Sequence, residues 1–447
     1  MANGLGGEAS EEEEQRNAVS EAVNEAQQAY AELSLLPQSG REVVIESIRS
    51  MLSEHVSKIA DMEFVETGMG DARDKAEKLM LALNKTPGVE ALTPQISASD
   101  DGYTIYEYSP YGVVCATQPA TNACATMVSN IIGMIAAGNS VIIIPHPKCM
   151  NVSSYTTGCI NEAIKAVSGI ESLVTALPQT SVQSAAELMG HPKVSMVVAT
   201  GGGKMIRQAL SASKRVIVAG SANPVAMVDE TANLSQAAKN IAESASFDHN
   251  TTCVGEKNIV VVSAVAEKFI EELRTQGVYF VDNRTDMLKL TRTTINNNFI
   301  MERSMAGKSA RQILDAADIA YDGDVRLIVV ETTKTHPFVT IEMLMPLVPL
   351  VRVENFEELL STALFIEQGH RHTATFHSQN IARLNKAAQV MQTSVFVRNG
   401  SSLSALGFDG DTGTGFTIAN ITGEGVISAQ DFARRRRCSL KTGLSQA

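Results

Sequence analysis

Positive charge is in deficit: 37 Lys and Arg stand against 49 Asp and Glu, for a net charge of −12. A chain this acidic offers no broad basic face for sequence-independent binding to nucleic acid, which works by neutralising phosphates. Long apolar runs are missing too. No stretch reaches the ~20 residues that a membrane-spanning helix needs, and the N-terminus lacks the basic-then-apolar order of a signal peptide. Neither nucleic acid nor membrane is expected as a partner. Six cysteines are scattered along 447 residues with no Cys-x-x-Cys pair. That is the usage of reduced thiols in a cytoplasmic protein, not of a disulfide framework or a zinc site. The eight histidines show no His-x-x-x-His spacing; His370 and His372 stand two apart, and no metal is expected.

What is present reads as a globular α/β protein. Hydrophobic residues make up 44% of the chain and charged ones 19%, enough to bury a large core in two or three domains. Residues 1–15 form a flexible acidic tail, with Ser10 as a candidate N-cap and Glu11–Glu14 suited to a first helical turn. Helical periodicity covers 18–33 and 40–65. Tyr103, Ile105 and Tyr106, after the turn signal Asp101-Gly102, mark a strand or hairpin. A regular alternation then begins. Strands are predicted over 112–117, 140–144, 173–177, 194–199 and 215–219, with helices over 123–137, 152–167, 181–189 and 204–211 between them. Short apolar strands separated by amphipathic helices predict a parallel sheet covered on both faces. Such sheets bind ligands at the carboxyl ends of their strands. A second run places strands at 225–228, 258–262, 326–330 and 350–353 and helices at 234–246, 266–275 and 357–367. Residues 342–349, with two prolines, read as a loop. Residues 407–425 read as a long ordered loop around a site, and Arg434–Arg437 as a solvated strand or an oligomer edge.

Three stretches carry chemistry. In Ser246-Phe-Asp-His-Asn-Thr-Thr-Cys253 a thiol stands in a loop just before a buried strand, held rigidly yet within reach of a ligand. Most free cysteines are small buried apolar residues; as a nucleophile, Cys253 needs no dedicated base, because a few per cent is thiolate near neutrality. Gln118-Pro-Ala-Thr-Asn122 ends at a helix N-terminus. Asn122 is either its N-cap or an amide donor for a developing oxyanion. Thr200-Gly-Gly-Gly-Lys204 lets a phosphate approach backbone N–H groups, although it is not Gly-x-Gly-x-x-Gly.

Together with Glu66-Thr-Gly-Met-Gly70, Ala136-Ala-Gly-Asn-Ser140, Pro145-His-Pro147, Asn223-Pro224, Asp229-Glu-Thr231, Thr422-Gly-Glu-Gly425 and Arg436-Arg-Cys438, these stretches resemble the CoA-acylating aldehyde dehydrogenases of bacterial microcompartments, over roughly residues 20–440. The resemblance implies the aldehyde dehydrogenase fold. A Rossmann-like NAD-binding domain would span 16–222, with an oligomerisation hairpin near 97–110. An α/β catalytic domain would span 223–405. Residues 406–447 would be a return segment and an oligomerisation strand, which completes a β-flap. It further implies that Cys253 attacks a short aldehyde, passes hydride to NAD and becomes a thioester released by coenzyme A. Asn122 and the Cys253 N–H would hold the oxyanion. Glu342 would contact the nicotinamide ribose, Thr200 and Gly201 would lie near the cofactor pyrophosphate, and Pro119 and Pro145 would complete the cofactor site. Oligomers, dimer or tetramer, are implied, as are shell proteins as partners and a microcompartment lumen as an alternative to the cytoplasm.

The chain departs from family patterns at several points. Hydrolytic relatives carry a glutamate base where Val218 stands, which argues against a hydrolytic enzyme; Glu256 is then the first suspect for any unrecognised base. Retention of Cys253, Asn122 and Glu342 argues against a non-catalytic scaffold. A cofactor-binding Lys of other relatives is replaced by Ile144. Arg371-His-Thr373 and Ser221-Ala-Asn223 also differ from close relatives. Residues 1–15 show no apolar stripe of the kind that targets relatives to a shell.

Overall fold

The structure is a computed structural model that describes residues 5–99, 102–410 and 412–441. Helix α1 (Leu5–Leu33) begins well inside the expected tail. Residues 5–15 are therefore helical backbone, and Ser10 lies within the helix instead of capping it. The physical reason is the run of Glu and Ala, all good helix formers. Helix α2 (Gln38–Thr67) stops where Gly68 turns left-handed, φ 65°, and bonds back to the Phe64 carbonyl. Helix α3 (Ala72–Lys85) follows, capped by the Asp71 side chain.

Strands β1 (Gln95–Ser99) and β2 (Gly102–Pro110) form the expected hairpin; part of its turn lies outside the described residues. The first large sheet holds β3 (Val113–Thr117), β4 (Ser140–Ile144), β5 (Val174–Ala176), β6 (Val194–Thr200) and β7 (Arg215–Ala219). Its strands are all parallel, in the order β5-β4-β3-β6-β7. The chain winds outward from β3 in one direction and from β6 in the other, so the loops after these two strands part at the switch point, where a crevice opens. Helix α4 (Ala123–Ala136) leaves β3 and is buried along its whole length, as a helix apolar on nearly every side must be. Helix α5 (Met150–Ser168) follows β4, α6 (Val182–Gly190) follows β5, and α7 (Gly203–Leu210) follows β6.

The second sheet has seven parallel strands: β8 (Val225–Val228), β9 (Asn258–Val262), β10 (Val278–Val281), β11 (Leu327–Glu331), β12 (Leu347–Val353), β13 (Thr373–His377) and β14 (Val395–Arg398), in the order β10-β11-β12-β9-β8-β13-β14. The loop expected at 342–349 gives way to strand at Leu347. Pro349 sits inside that strand, paired with Val330, where it forfeits one ladder donor. Strands β15 (Ile418–Ala419) and β16 (Gly425–Val426) pair within the return segment. That segment is stitched to β7: the Val218 N–H donates to Thr422 Oγ1 at 2.9 Å and the Gly220 N–H to Asn420 Oδ1 at 2.8 Å. The basic run lies in β17 (Ala433–Lys441), which pairs antiparallel with β2 to give a three-stranded sheet. Arg435 and Arg437 both stack on Tyr106. No helix among the described residues is long and apolar enough to cross a membrane.

Several of the motif stretches do structural work. Asn139 accepts from the Tyr111 and Gly112 N–H groups and donates to the Phe432 carbonyl at 2.9 Å. Asn223 donates to the carbonyls of Val339 and Ile366 and accepts from Asn258. Asp229 accepts from Thr231, Ser378 and Arg383. Each satisfies backbone or side-chain groups that would otherwise be buried unpaired.

Candidate active site

Helix α8 (Leu234–Ser246) delivers the chain to the cysteine loop. A single 3-10 turn over Phe247–Asn250 follows, and in it Asp248, His249 and Asn250 all take left-handed backbone, φ 46°, 49° and 57°. Each such non-glycine residue costs about 1–3 kcal/mol and persists only where its surroundings over-determine it. Here they do. Asp248 accepts from the Asp71 N–H at 2.8 Å and from Thr251 Oγ1 at 2.6 Å, and it faces both Lys75 and Lys78. His249 Nδ1–H donates to the Gly307 carbonyl. Asn250 donates to the Glu256 carbonyl. The buried Lys257 ammonium donates to Asn250 O and Oδ1, both at 2.6 Å, and to Thr252 O at 3.1 Å. Cys253 thus rests on a loop fixed from several sides, itself only partly buried.

Gly70 belongs to the same construction. A Cβ there would stand 1.9 Å from Asp248 Oδ1, and its φ is 77°. The Glu-Thr-Gly-Met-Gly stretch is therefore the socket that admits Asp248. Its Glu66 caps α5 through the N–H groups of Asn151 and Val152.

A cavity of about 350 Å³ opens at the carboxyl ends of the first sheet. Cys253, Asn122, Thr200, Gly201, Glu342, Pro145 and Pro119 all line it, so the candidate catalytic and cofactor-binding residues reach one space. A larger, strongly polar cleft of about 430 Å³, lined among others by Asp74, Arg311 and Arg326, does not include Cys253.

Asn122 occupies the N-cap position of α4, but its side chain bonds no helix N–H. That duty falls to Glu63, whose carboxylate accepts from Ala123 N at 3.3 Å and Cys124 N at 2.9 Å. The Asn122 side chain turns instead to Lys78, whose Nζ donates to Oδ1 at 2.7 Å. A lysine can only donate, so the atom facing it is the amide oxygen. The amide N–H₂ is left with a long 3.4 Å contact to Thr121 Oγ1. The N-cap alternative is therefore set aside, and a donor remains free at the cavity wall.

The cavity's electrostatics differ from expectation. Burial pushes the Cys253 thiol up to about 11, with the Glu342 carboxylate adding to the rise and Lys257 opposing it. A few per cent of thiolate at neutrality is thus not available in this state. Burial also raises Glu342 to about 7 against the pull of Lys257, and lowers Lys257 to about 8. Burial pushes the Asp248 carboxyl up, but the facing Lys78 and Lys75 outweigh it and hold it below its ordinary value.

Two further readings need correction. Val218 is fully buried in one apolar cluster with Ile206 and Ala209 and does not line the cavity, so a glutamate placed there would be buried away from the thiol. Glu256, the suspected base, is also fully buried. Its carboxylate is engaged by the hydroxyls of Ser244 and Ser402, and it is absent from the cavity wall. Conversely, sequence reasoning passed over Lys78, Asp248 and Lys257. The signal for Lys78 was legible: Lys75, Lys78, Leu79 and Ala82 fall at i, i+3, i+4 and i+7, which puts two lysines on the buried face of α3.

The aldehyde dehydrogenase family matches residues 9–422. A propanal dehydrogenase (CoA-propanoylating) of Citrobacter freundii is 40% identical over 96% of this chain and 92% of its own. The propionaldehyde dehydrogenase of Rhodopseudomonas palustris with bound propionyl-CoA superposes with a TM-score of 0.93 at 39% identity, covering 95% of this chain and 94% of its own. An engineered glycolyl-CoA reductase with bound NADP+ gives the same TM-score of 0.93 and 39% identity, over 95% and 96% of the two chains. A propionaldehyde dehydrogenase from the fucose utilisation microcompartment of Clostridium phytofermentans reaches 0.93 at 34% identity, over 96% and 98%.

Proposed function

Because the chain belongs to the aldehyde dehydrogenase family, we propose that it oxidises a short aliphatic aldehyde, propionaldehyde or acetaldehyde, to the acyl-CoA, with NAD as hydride acceptor. The observation that carries this reading is the meeting of Cys253 and Asn122 in one cavity, with the Asn122 oxygen already bonded by Lys78 and its N–H₂ held only by a long 3.4 Å contact to Thr121 Oγ1. Acyl chemistry needs a nucleophile and a preorganised donor for the oxyanion.

The cavity suits a dinucleotide. A Cβ at Gly201 or Gly202 would meet nothing within 4 Å, so backbone borders open space there. Gly202, at the N-cap of α7, has no side chain to occupy the first helical N–H groups, which leaves them to a pyrophosphate. Pro119, Pro145, Ile144 and Met205 give apolar walls. When bound, NAD supplies the hydride acceptor and adds positive charge to the cavity.

The chain's own residues do the rest. Cys253 Sγ, its proton released to water at the open cavity, adds to the aldehyde carbon, and the oxygen's charge falls to Asn122 Nδ2 and the Cys253 N–H. Loss of hydride from that carbon leaves a thioester on Cys253. Water needs a general base to attack a thioester at neutral pH; neither Val218 nor Glu256 reaches the cavity, and Glu342, the one carboxylate on its wall, lies under the pull of Lys257. A thiolate needs none, so coenzyme A takes the acyl group. Its release regenerates Cys253. NADH formation from propionaldehyde and NAD tests this: a stoichiometric burst without CoA, then steady turnover to acyl-CoA when CoA is added. Rapid CoA-independent production of free acid would overturn it.

The three-stranded sheet of β1, β2 and β17 is assigned to oligomerisation, as a dimer or tetramer. Its Ile96 and Leu440 are exposed. The cytoplasm is the proposed location. The Clostridium relative's origin makes the microcompartment lumen the alternative, and co-purification with shell proteins decides between them.

A further inference from the structure

Lys78 is among the most deeply buried side chains of the protein, with 1% of its side chain exposed. Its ammonium has three N–H groups and three acceptors: the Asp248 carboxylate, the Asn122 amide oxygen at 2.7 Å and the Thr121 carbonyl at 3.4 Å. Stability alone does not account for it. A buried ion pair replaced as a whole by apolar side chains of similar volume is commonly lost without cost, although removing one partner alone is costly, and a leucine or methionine would continue the apolar stripe of α3. Something else is served by a charge at this point.

Its position shows what. Through Asp248, Lys78 touches the loop that carries Cys253 five residues later. Through Oδ1, it touches Asn122 at the start of α4. Lys75 closes the other side, bridging Asp248 to Glu63 at 3.4 and 3.1 Å, and Glu63 caps the helix on which Asn122 stands. One buried lattice of four charges therefore fixes the nucleophile loop and the amide relative to each other. With its oxygen bonded to a cation, the amide cannot flip. Its N–H bonds are also polarised, because hydrogen bonds in a low-dielectric chain strengthen one another.

We propose that Lys78 is a positioning residue for the oxyanion site: it locks Asn122 with its N–H₂ toward the cavity and strengthens that donor, while its pairing with Asp248 ties the setting to the Cys253 loop. The proposal rests on the reading of Asn122 as oxyanion donor. It differs from a merely structural role in one consequence: Lys75 still pairs with Asp248 when Lys78 is replaced, so the loss specific to Lys78 passes through the Asn122 side chain.

A double-mutant cycle separates the two. Lys78→Met and Lys78→Gln are each made alone and with Asn122→Ala, so that one folded variant of the pair suffices. Values of kcat and KM for propionaldehyde are measured at saturating NAD and CoA. Asn122→Ala alone is expected to lower kcat by ~100–1,000-fold, the usual cost of losing one oxyanion donor. Lys78→Met is expected to lower kcat by roughly 10–100-fold, below that range because the donor is kept but unfixed, and to leave KM within about twofold. Lys78→Gln, which retains a donor toward Oδ1, should fall less. In the Asn122→Ala background neither Lys78 substitution should lower kcat further by more than about twofold. A Lys78 variant with wild-type kcat overturns the proposal, and so do losses that multiply in the double variants. Wild-type kcat in Asn122→Ala would instead overturn the oxyanion reading itself.

Discussion

The thiol proton of Cys253 offers a direct test of the cavity's electrostatics. With its pKa pushed up to about 11 by burial and the neighbouring Glu342 carboxylate, only about 0.03% of the resting enzyme is thiolate at pH 7.5, against about 10% for an ordinary cysteine of pKa ≈ 8.5. That is a factor of about 300. A more basic thiolate is the better nucleophile, with a Brønsted slope of about 0.4–0.5. Over 2.5 pKa units this returns a factor of roughly 10–20, so the net rate of alkylation should be about 15–30-fold below that of a free thiol. Iodoacetamide labelling of the ligand-free protein, followed peptide by peptide because the other five cysteines must be resolved from this one, measures it between about pH 6.5 and 10. The rate at Cys253 should climb about tenfold per pH unit with no plateau in that range. Glu342→Gln removes the negative charge that helps hold the proton, so its rate should rise several-fold at neutral pH. A plateau in the wild type with a midpoint at or below about 8.5 would refute the reasoning. It would mean that Lys257, not burial and Glu342, sets the thiol's acidity.

Other perturbations probe the same construction. Cys253→Ala should abolish NADH formation and leave the melting temperature near that of the wild type, because a half-buried thiol contributes little packing; turnover above a trace would move the nucleophile elsewhere. Gly70→Ala should cost about 1–2 kcal/mol for left-handed alanine and, by driving its Cβ into Asp248, a further ~3–5 kcal/mol as a buried charge loses its partners; a denaturant-derived loss below about 1 kcal/mol would contradict the socket. Val218→Glu should lower stability markedly, since an unpaired carboxylate is placed in apolar packing, without raising free-acid formation; a fast acid leak would show that this side chain reaches the thioester. Glu256, raised to about 7 from 4.5 by burial, keeps in the folded state a proton that the unfolded chain has lost. It therefore takes stability away as pH rises from about 4.5 to about 7, on the order of 3 kcal/mol in all. Glu256→Gln should flatten that decline in a denaturation series, and an unchanged slope would count against it.

The two halves of the fold were unequally legible. In the first sheet, β4 and β7 fall where the apolar runs placed them, because Val-Ile strands between capped helices leave little choice. In the second, β13 and β14 passed unmarked. The sequence Thr-Ala-Thr-Phe-His of β13 reads as polar, yet the strand is wholly buried, with Thr375 reaching toward Glu256. Pro349 hid the start of β12 for a similar reason: the rule that keeps proline out of central strands is a statement of cost, and the packing of the strand's buried Leu, Val and Pro residues outweighs one missing donor. The site divides in the same way. Cys253, Asn122 and the Thr200 loop were visible because short stretches of residue types announce their chemistry. Lys257 was not, because a lone lysine in sequence carries the expectation of solvent, and Lys78, although its spacing with Leu79 and Ala82 puts it on the buried face of α3, gave no sign of its partners. Only the packing of α3 against the cysteine loop turns it into a buried charge.

That buried charge bears on why the acyl group goes to a thiol and not to water. An enzyme that hydrolyses its thioester must keep a basic side chain near the carbonyl carbon and admit a water beside it. Here the carboxylates near the cysteine are committed elsewhere. Asp248 is paired to two lysines, Glu63 caps a helix between those lysines and Asn122, and Glu256 is held by serine hydroxyls. Glu342 alone lines the cavity, and there it faces Lys257. The lattice thus does two things with one set of charges. It fixes the donor proposed for each tetrahedral oxyanion on Cys253, and it keeps Asp248 and Glu63 from serving water as bases. A nucleophile that brings its own ionised sulfur is favoured by the first and untouched by the second.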